Sequence, residues 1–156
     1  MLRDTIIAKA TDSTSSMQFT QDTDGVLKFY DISRSKWLST SRQVIEYGID
    51  HVNISSNRWM ITSGGVKSNN SGYRLPRNAT ITSVTAQTTN SSTCTFLIKR
   101  NDVATTLYPF SLNAQQGKAQ DNLDIELNED DYLQVQISSI TGNVDYPIIL
   151  IEIAWR

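Results

Sequence analysis

The 156-residue sequence predicts an antiparallel all-β fold, a sandwich or a barrel. Two observations carry this. Seven or more short runs rich in β-branched and aromatic residues recur about every eight to twelve residues. Between them stand clusters of Asn, Asp, Gly and Ser, the residues of turns. At this length the chain holds one domain with a proper core plus a short extra segment.

Residues 1–25 contain one small apolar cluster, Ile6 and Ile7, and then the polar tract ATDSTSSMQFTQDTDG. This segment lacks the material for its own core, so it is expected to be extended or to fold only against something else, and it is the candidate attachment segment. Residues 26–48 follow as a connector. Within it Val26-Leu27, Phe29-Tyr30 and Trp37-Leu38 flank DISRSK, the pattern of a β-hairpin with a longer loop. Gln43–Gly48 is a further short strand. A two-stranded hairpin is marginal alone, so its aromatic residues must pack on the main domain or on a neighbouring subunit.

Residues 49–156 form the predicted head. RWMIT is strand-like, and SGGVKSNNSG (63–72) is a loop in which Gly64-Gly65 lacks the accompanying pattern of a phosphate cradle. The stretch from Gly72 to Arg100 reads as two consecutive strands separated by a turn over Gln87–Thr93. In the second, Cys94, Phe96 and Ile98 share one face, and Leu97 breaks the alternation. In the first, the apolar phase runs Ile81, then Val84 and Ala86, and slips by one residue near Ser83. A β-bulge there restores a single inward face.

Downstream, Val103–Leu107 is read as strand, Pro109 excludes a central strand position, and Asn113–Gln120 is read as loop. Leu123, Ile125 and Leu127 alternate, Asn128–Asp131 makes a turn, and Leu133, Val135 and Ile137 again share a face. The last strand differs. Tyr146–Trp155 (YPIILIEIAW) is apolar on both faces, whereas the earlier strands keep one polar side. Its second face is expected to pack against other subunits or, alternatively, to be covered by the N-terminal segment. The candidate subunit interface is therefore Tyr146, Ile148, Ile149, Leu150, Ile151, Ile153 and Trp155, with Trp37 as a further contributor.

Composition excludes several functions. Fourteen Lys and Arg against 16 Asp and Glu give a net charge of −2 with the cations scattered, so no electrostatic footprint for nucleic acid or an anionic membrane exists. The N-terminal apolar run is too short for a signal peptide, and no stretch approaches a spanning helix. Synthesis in a cytoplasm is the expectation. The four N-x-S/T triplets at Asn53, Asn69, Asn78 and Asn90 are chance matches in a Ser-, Thr- and Asn-rich chain. The single cysteine, Cys94, forms no intrachain disulfide and reads as a small buried hydrophobe.

No catalytic constellation is present. His51 stands without a nucleophile motif and reads as a loop residue, and one His with one Cys cannot assemble a transition-metal site within a subunit. Glu129, Asp130 and Asp131 lack the spacing and glycine of an EF-hand loop and read as a solvated turn. The chain is expected to be non-enzymatic, with no cofactor and no metal.

GVLKFYDISRSKWLS, GYRLPRNATITSVTAQT, LIKRND, NEDDYLQVQIS and the closing DYPIILIEIAWR resemble small trimeric fibre or decoration proteins of tailed-bacteriophage virions. The resemblance covers Gly25–Arg156. It implies a jelly-roll β-sandwich head similar to the complement-component and tumour-necrosis-factor type, a homotrimer on a capsid or tail, and an N-terminal segment that anchors the protein to other virion proteins. A rival reading is a carbohydrate-binding module that grips a host surface glycan through exposed aromatics, with Tyr30, Trp37, Tyr47, Trp59 and Tyr108 as stacking candidates.

Overall fold

The computed structural model describes residues 6–9, 16–23, 25–65, 68–69, 71–102 and 106–156. The elements in order are β1 (Ile6–Lys9), β2 (Ser16–Gln21), β3 (Leu27–Asp31), β4 (Lys36–Ser39), β5 (Arg42–Gly48), β6 (Arg58–Trp59), β7 (Ile61–Thr62), β8 (Tyr73–Arg74), β9 (Ala79–Arg100), β10 (Thr106–Gln120), β11 (Ile125–Leu127), β12 (Tyr132–Thr141) and β13 (Ile148–Trp155). Every pairing is antiparallel, as the sequence predicts.

Strand β9 organises the head. Along one edge it pairs with β10 and then β11; along the other it pairs first with β13 and then with β12. β5 and β7 extend the sheet beyond β13, while β6 and β8 extend it beyond β12. The expected turn over Gln87–Thr93 is instead strand, because its polar groups find partners in an extended chain. The Thr88 hydroxyl donates to the carbonyl of Asn90 at 2.6 Å, and Ser92 Oγ donates to Asn90 Oδ1 at 2.8 Å. The tract does mark a discontinuity: β10 jumps from Gln115↔Ser92 to Gly117↔Gln87, and the opposite edge jumps from Thr141↔Thr93 to Ile148↔Gln87.

The expected bulge is present. Glu152 pairs with Ser83 and the next residue, Ile153, pairs with Ile81, which leaves Thr82 as the extra residue on β9. Ile81, Val84, Ala86, Cys94, Phe96 and Ile98 consequently all point inward. Facing them are Leu133, Val135 and Ile137 from β12, and Ile149, Ile151 and Ile153 from β13, each 0% exposed. Tyr47 on β5 crosses the core: its hydroxyl donates to the carbonyl of Leu133 on β12 at 2.6 Å and accepts the N–H of Tyr73 at 3.3 Å. Gly72, just before β8, is required by close approach, since a Cβ there would lie 1.8 Å from the Leu133 carbonyl oxygen.

On β10 the exclusion of Pro109 from a central strand holds, and the loop expected over Asn113–Gln120 is corrected to strand. The strand passes through Pro109, opposite Leu97, and continues over Asn113–Gln120. β10 is an edge strand, where a missing N–H need not interrupt a ladder. Its second half is exposed on both faces and so has no apolar alternation to reveal it. Of the expected Val103–Leu107 strand, residues 103–105 lie outside the described residues.

The N-terminal region is a second sheet, in the order β1-β2-β3-β4. The predicted hairpin is its β3–β4 pair, with Phe29 opposite Leu38 and Tyr30 opposite Trp37. Boundaries at residues 25 and 48 do not follow this architecture. Phe19 on β2 pairs with Phe29 on β3, so the first boundary cuts the small sheet; β5 pairs with β13 over Arg42–Gly48, so the second removes a strand from the head. The sheets part at Thr40–Ser41.

The small sheet is latched to the head by polar contacts. Lys36 Nζ lies 2.7 Å from both Asp124 and Glu126, and Arg34 Nε donates to the carbonyl of Leu123 at 2.6 Å. Ser39 Oγ accepts the N–H of Trp155 at 3.0 Å, and the guanidinium of Arg42 sits 5.4 Å from the centre of the Phe29 ring.

Candidate subunit interface

The two-faced last strand resolves into two different surfaces. Residues alternate along β13, so Ile149, Ile151 and Ile153 enter the chain's own core while Ile148, Leu150 and Glu152 point outward. This corrects the candidate list: the three inward isoleucines are wholly buried within one chain and offer nothing to a neighbour. Trp155 is half-buried, with the guanidinium of Arg77 5.8 Å from its ring centre. Among the described residues the N-terminal sheet reaches the end of β13, near Ala154 and Trp155, through Ser39. It leaves Ile148, at 41% exposure, uncovered.

The outward face of β13 continues onto its neighbours. Leu150 lies opposite Glu46 of β5, Glu152 opposite Val44, and Ile148 opposite Gly48, which in turn lies opposite Ile61 of β7. Val44 is 55% exposed and Tyr146 45%. A band of Val44, Leu150, Ile148, Ile61 and Tyr146 therefore runs across the outside of a sheet whose inner face is already packed. Sequence reading misses Val44 and Ile61. Val44 was legible in principle, since Ile45 and Tyr47 fix the inward phase of β5 and leave Val44 on the opposite side.

A groove of about 330 Å³ lies at one end of this band, its lining including Gly48, Ile49, Ile61 and Ile148 together with Glu46, Asp50 and Tyr146. Tyr146 has a left-handed backbone, φ 47°, and its N–H donates to the carbonyl of His51 at 2.9 Å. A second groove of about 370 Å³ adjoins it, sharing Ile49 and Ile61 and lined also by Asn57, Arg58 and Trp59.

The five aromatics considered for sugar stacking are not brought together. Tyr47 is 0% exposed in the core and cannot meet a ligand, because its ring spans the interior from β5 to β12. Tyr30 and Trp37 meet edge to face on the small sheet, with centroids 5.4 Å apart. Trp59 lies on β6 beneath the ammonium of Lys99, 5.2 Å from its ring centre, and Tyr108 packs against the core from β10.

The remaining polar candidates are placed as follows. His51 is exposed in the loop after β5. Asp131 is taken up inside the turn, accepting from the N–H of Asn128 at 2.7 Å and from the side-chain amide of Asn101 at 2.5 Å, while Asp130 is exposed. Among the described residues no three His, Cys, Asp or Glu side chains gather as a metal site, and no helix is long and apolar enough to cross a membrane. Burial pushes the Cys94 thiol up to about 11, and burial likewise raises the Tyr47 hydroxyl above its ordinary value.

No protein-family model matches the sequence, and no curated protein matches it. Among solved structures the chain is similar to PRD1 vertex protein P5, with a TM-score of 0.46 and 11% sequence identity over 95% of this chain and 86% of that one.

Proposed function

We propose that this chain is a non-enzymatic structural protein of a bacteriophage virion, a homotrimeric fibre or decoration knob whose β-sandwich head joins its copies through the outer face of β5 and β13. One observation carries the assembly: an apolar band of Val44, Leu150, Ile148 and Ile61 lies outside a core that is already closed. Apolar groups gain about 25 cal/mol for each Å² removed from water, so these outward apolar side chains favour association. The virion assignment is supported by the sequence resemblance to trimeric phage fibre and decoration proteins. In this reading the N-terminal sheet and the residues before it face other virion proteins.

The test is a variant carrying Ile148→Asp and Leu150→Asp, two substitutions on the outward face of β13. Its light-scattering mass falls to that of a single chain, 17.5 kDa, while its thermal unfolding stays cooperative. A folded variant with the wild-type oligomeric mass removes this face as the interface.

A further inference from the structure

We infer that the groove beside β7 is one half of an ionic lock between copies, and that Arg58 of the neighbouring copy fills it. This rests on the homotrimer reading and names the pair of surfaces that meet.

Among the described residues the groove's lining combines isoleucines with two carboxylates and includes no cation. Gly48, Ile49, Ile61 and Ile148 line it together with Glu46 and Asp50. Neither carboxylate has an ion-pair partner among the described residues, whereas Glu152, the next outward residue after Leu150 on β13, lies 3.7 Å from Arg42. Such a site suits a cation on an aliphatic stem, which lays its methylenes on the isoleucines and presents its head to the two carboxylates. Gly48 gives the site its depth. A Cβ there would meet Ile148 and the Pro147 carbonyl oxygen at 3.7 Å, ordinary contact distances for an added methyl group that would take up part of this space.

The complementary group is on the same face of the molecule. Arg58 is exposed on β6 and lines the adjoining groove, which shares Ile49 and Ile61 with the first. The other arginines among the described residues are engaged. Arg34, Arg42, Arg74, Arg100 and Arg156 have carboxylate partners, and Arg77 lies over Trp155. Among the described residues Arg58 has neither a carboxylate nor a ring as partner. Three copies around an axis meet heterologously, one patch against a different patch of the next copy, so a cation and an acidic groove a short way apart on one chain face each other across the boundary when the axis passes between them. The occupant is therefore a second copy of this chain, selected by charge complementarity.

A charge-reversal cycle tests this, with light-scattering mass and a thermal melt recorded on each full-length protein at low ionic strength. Arg58→Glu alone, and Glu46→Arg with Asp50→Arg, each weaken association by at least about tenfold and shift the mass toward 17.5 kDa. Combining all three substitutions restores the wild-type mass. Gly48→Val, which takes up part of the groove without altering charge, also weakens association. Folded reversal variants that keep the wild-type mass overturn the lock while leaving the homotrimer reading intact, and so does a triple variant that folds without reassembling. A wild-type mass of two chains that responds to the reversals overturns the homotrimer and upholds the lock. A monomeric wild type overturns both.

Discussion

The head and the N-terminal sheet are built from the same strand grammar but are held by different forces. In the head, inward side chains from β5, β9, β12 and β13 form one continuous buried cluster. In the small sheet Leu38 is the buried apolar side chain among the described residues, while Phe19, Phe29, Tyr30 and Trp37 stay half-buried and Leu27 is 45% exposed. The small sheet docks by charge and hydrogen bonds around Arg34, Lys36 and Ser39. Apolar burial scales with area and is indifferent to pH, whereas an exposed ion pair contributes about 1 kcal/mol or less and is screened by salt. The head is thus a permanent unit, and the sheet's docking responds to its surroundings.

The head and the small sheet differ most at core positions. Phe96→Ala removes a wholly buried ring and costs about 3–5 kcal/mol in a urea titration, whereas Phe29→Ala, at a half-buried site, costs about 1 kcal/mol. Equal losses would mean that the small sheet shares the head's core. Gly72→Ala forces backbone apart at the Leu133 carbonyl oxygen and costs about 1–3 kcal/mol. Tyr47→Phe keeps the ring but leaves the Leu133 carbonyl and the Tyr73 N–H without their partner, a loss of about 1–3 kcal/mol.

Acid provides a finer separation. Lys36, the nearest hydrogen-bonding cation, and then Arg156 hold the Glu126 carboxyl below its usual range. For Asp31, burial pushes upward, but hydrogen bonds from Ser33 and Arg34 outweigh it and leave the carboxyl lowered. A carboxylate lowered on folding stabilises the folded form above its unfolded value, about 3.9 for Asp and 4.3 for Glu, and that contribution disappears as pH falls through the folded value. Lys36 has the opposite sign. Burial opposes its charge, yet bonds to Asp124 and Glu126 raise it, so its contribution is present below the unfolded value of about 10.4 and is lost as pH rises through the folded one. The small sheet is therefore expected to undock below about pH 4, before the head melts, seen as a change in Trp37 emission and as faster amide exchange in β3 and β4. Simultaneous loss of head and sheet signals would contradict the latch.

The smallest effect concerns Cys94. Buried, with its thiol pushed up to about 11, it should react with a disulfide reagent at pH 8 only as fast as the head opens, and in urea at once. Rapid labelling of the native protein would place Cys94 outside the permanent unit.

What the sequence made legible follows the same division. Where one face is apolar and the other polar, period-2 patterning identifies strand and face together, as at Leu133, Val135 and Ile137, which alternate with Gln134, Gln136 and Ser138. Even the phase slip at Ser83 is a register shift in the fold. Reading fails where that contrast vanishes. Asn113–Gln120 is exposed on both sides, and Gln87–Thr93 satisfies its polar groups within an extended chain, so neither advertises a strand. β13 announces two apolar faces, but composition cannot say which face is interior. That depends on pairing with β5 and β9, which places Ile149, Ile151 and Ile153 inside and leaves Ile148 and Leu150 facing out. Tyr47 looked like a surface aromatic for the same reason: its inward direction is set by the phase of β5.

In the proposed assembly the outward apolar band of a head with a complete core is the surface through which copies join. Light scattering of the wild-type chain on a sizing column tests it directly. A homotrimer gives three times 17.5 kDa, roughly 52 kDa, with closed rotational symmetry. A mass of 17.5 kDa at every concentration tested would contradict the claim and leave the band of Val44, Leu150, Ile148 and Ile61 as the surface of a monomer.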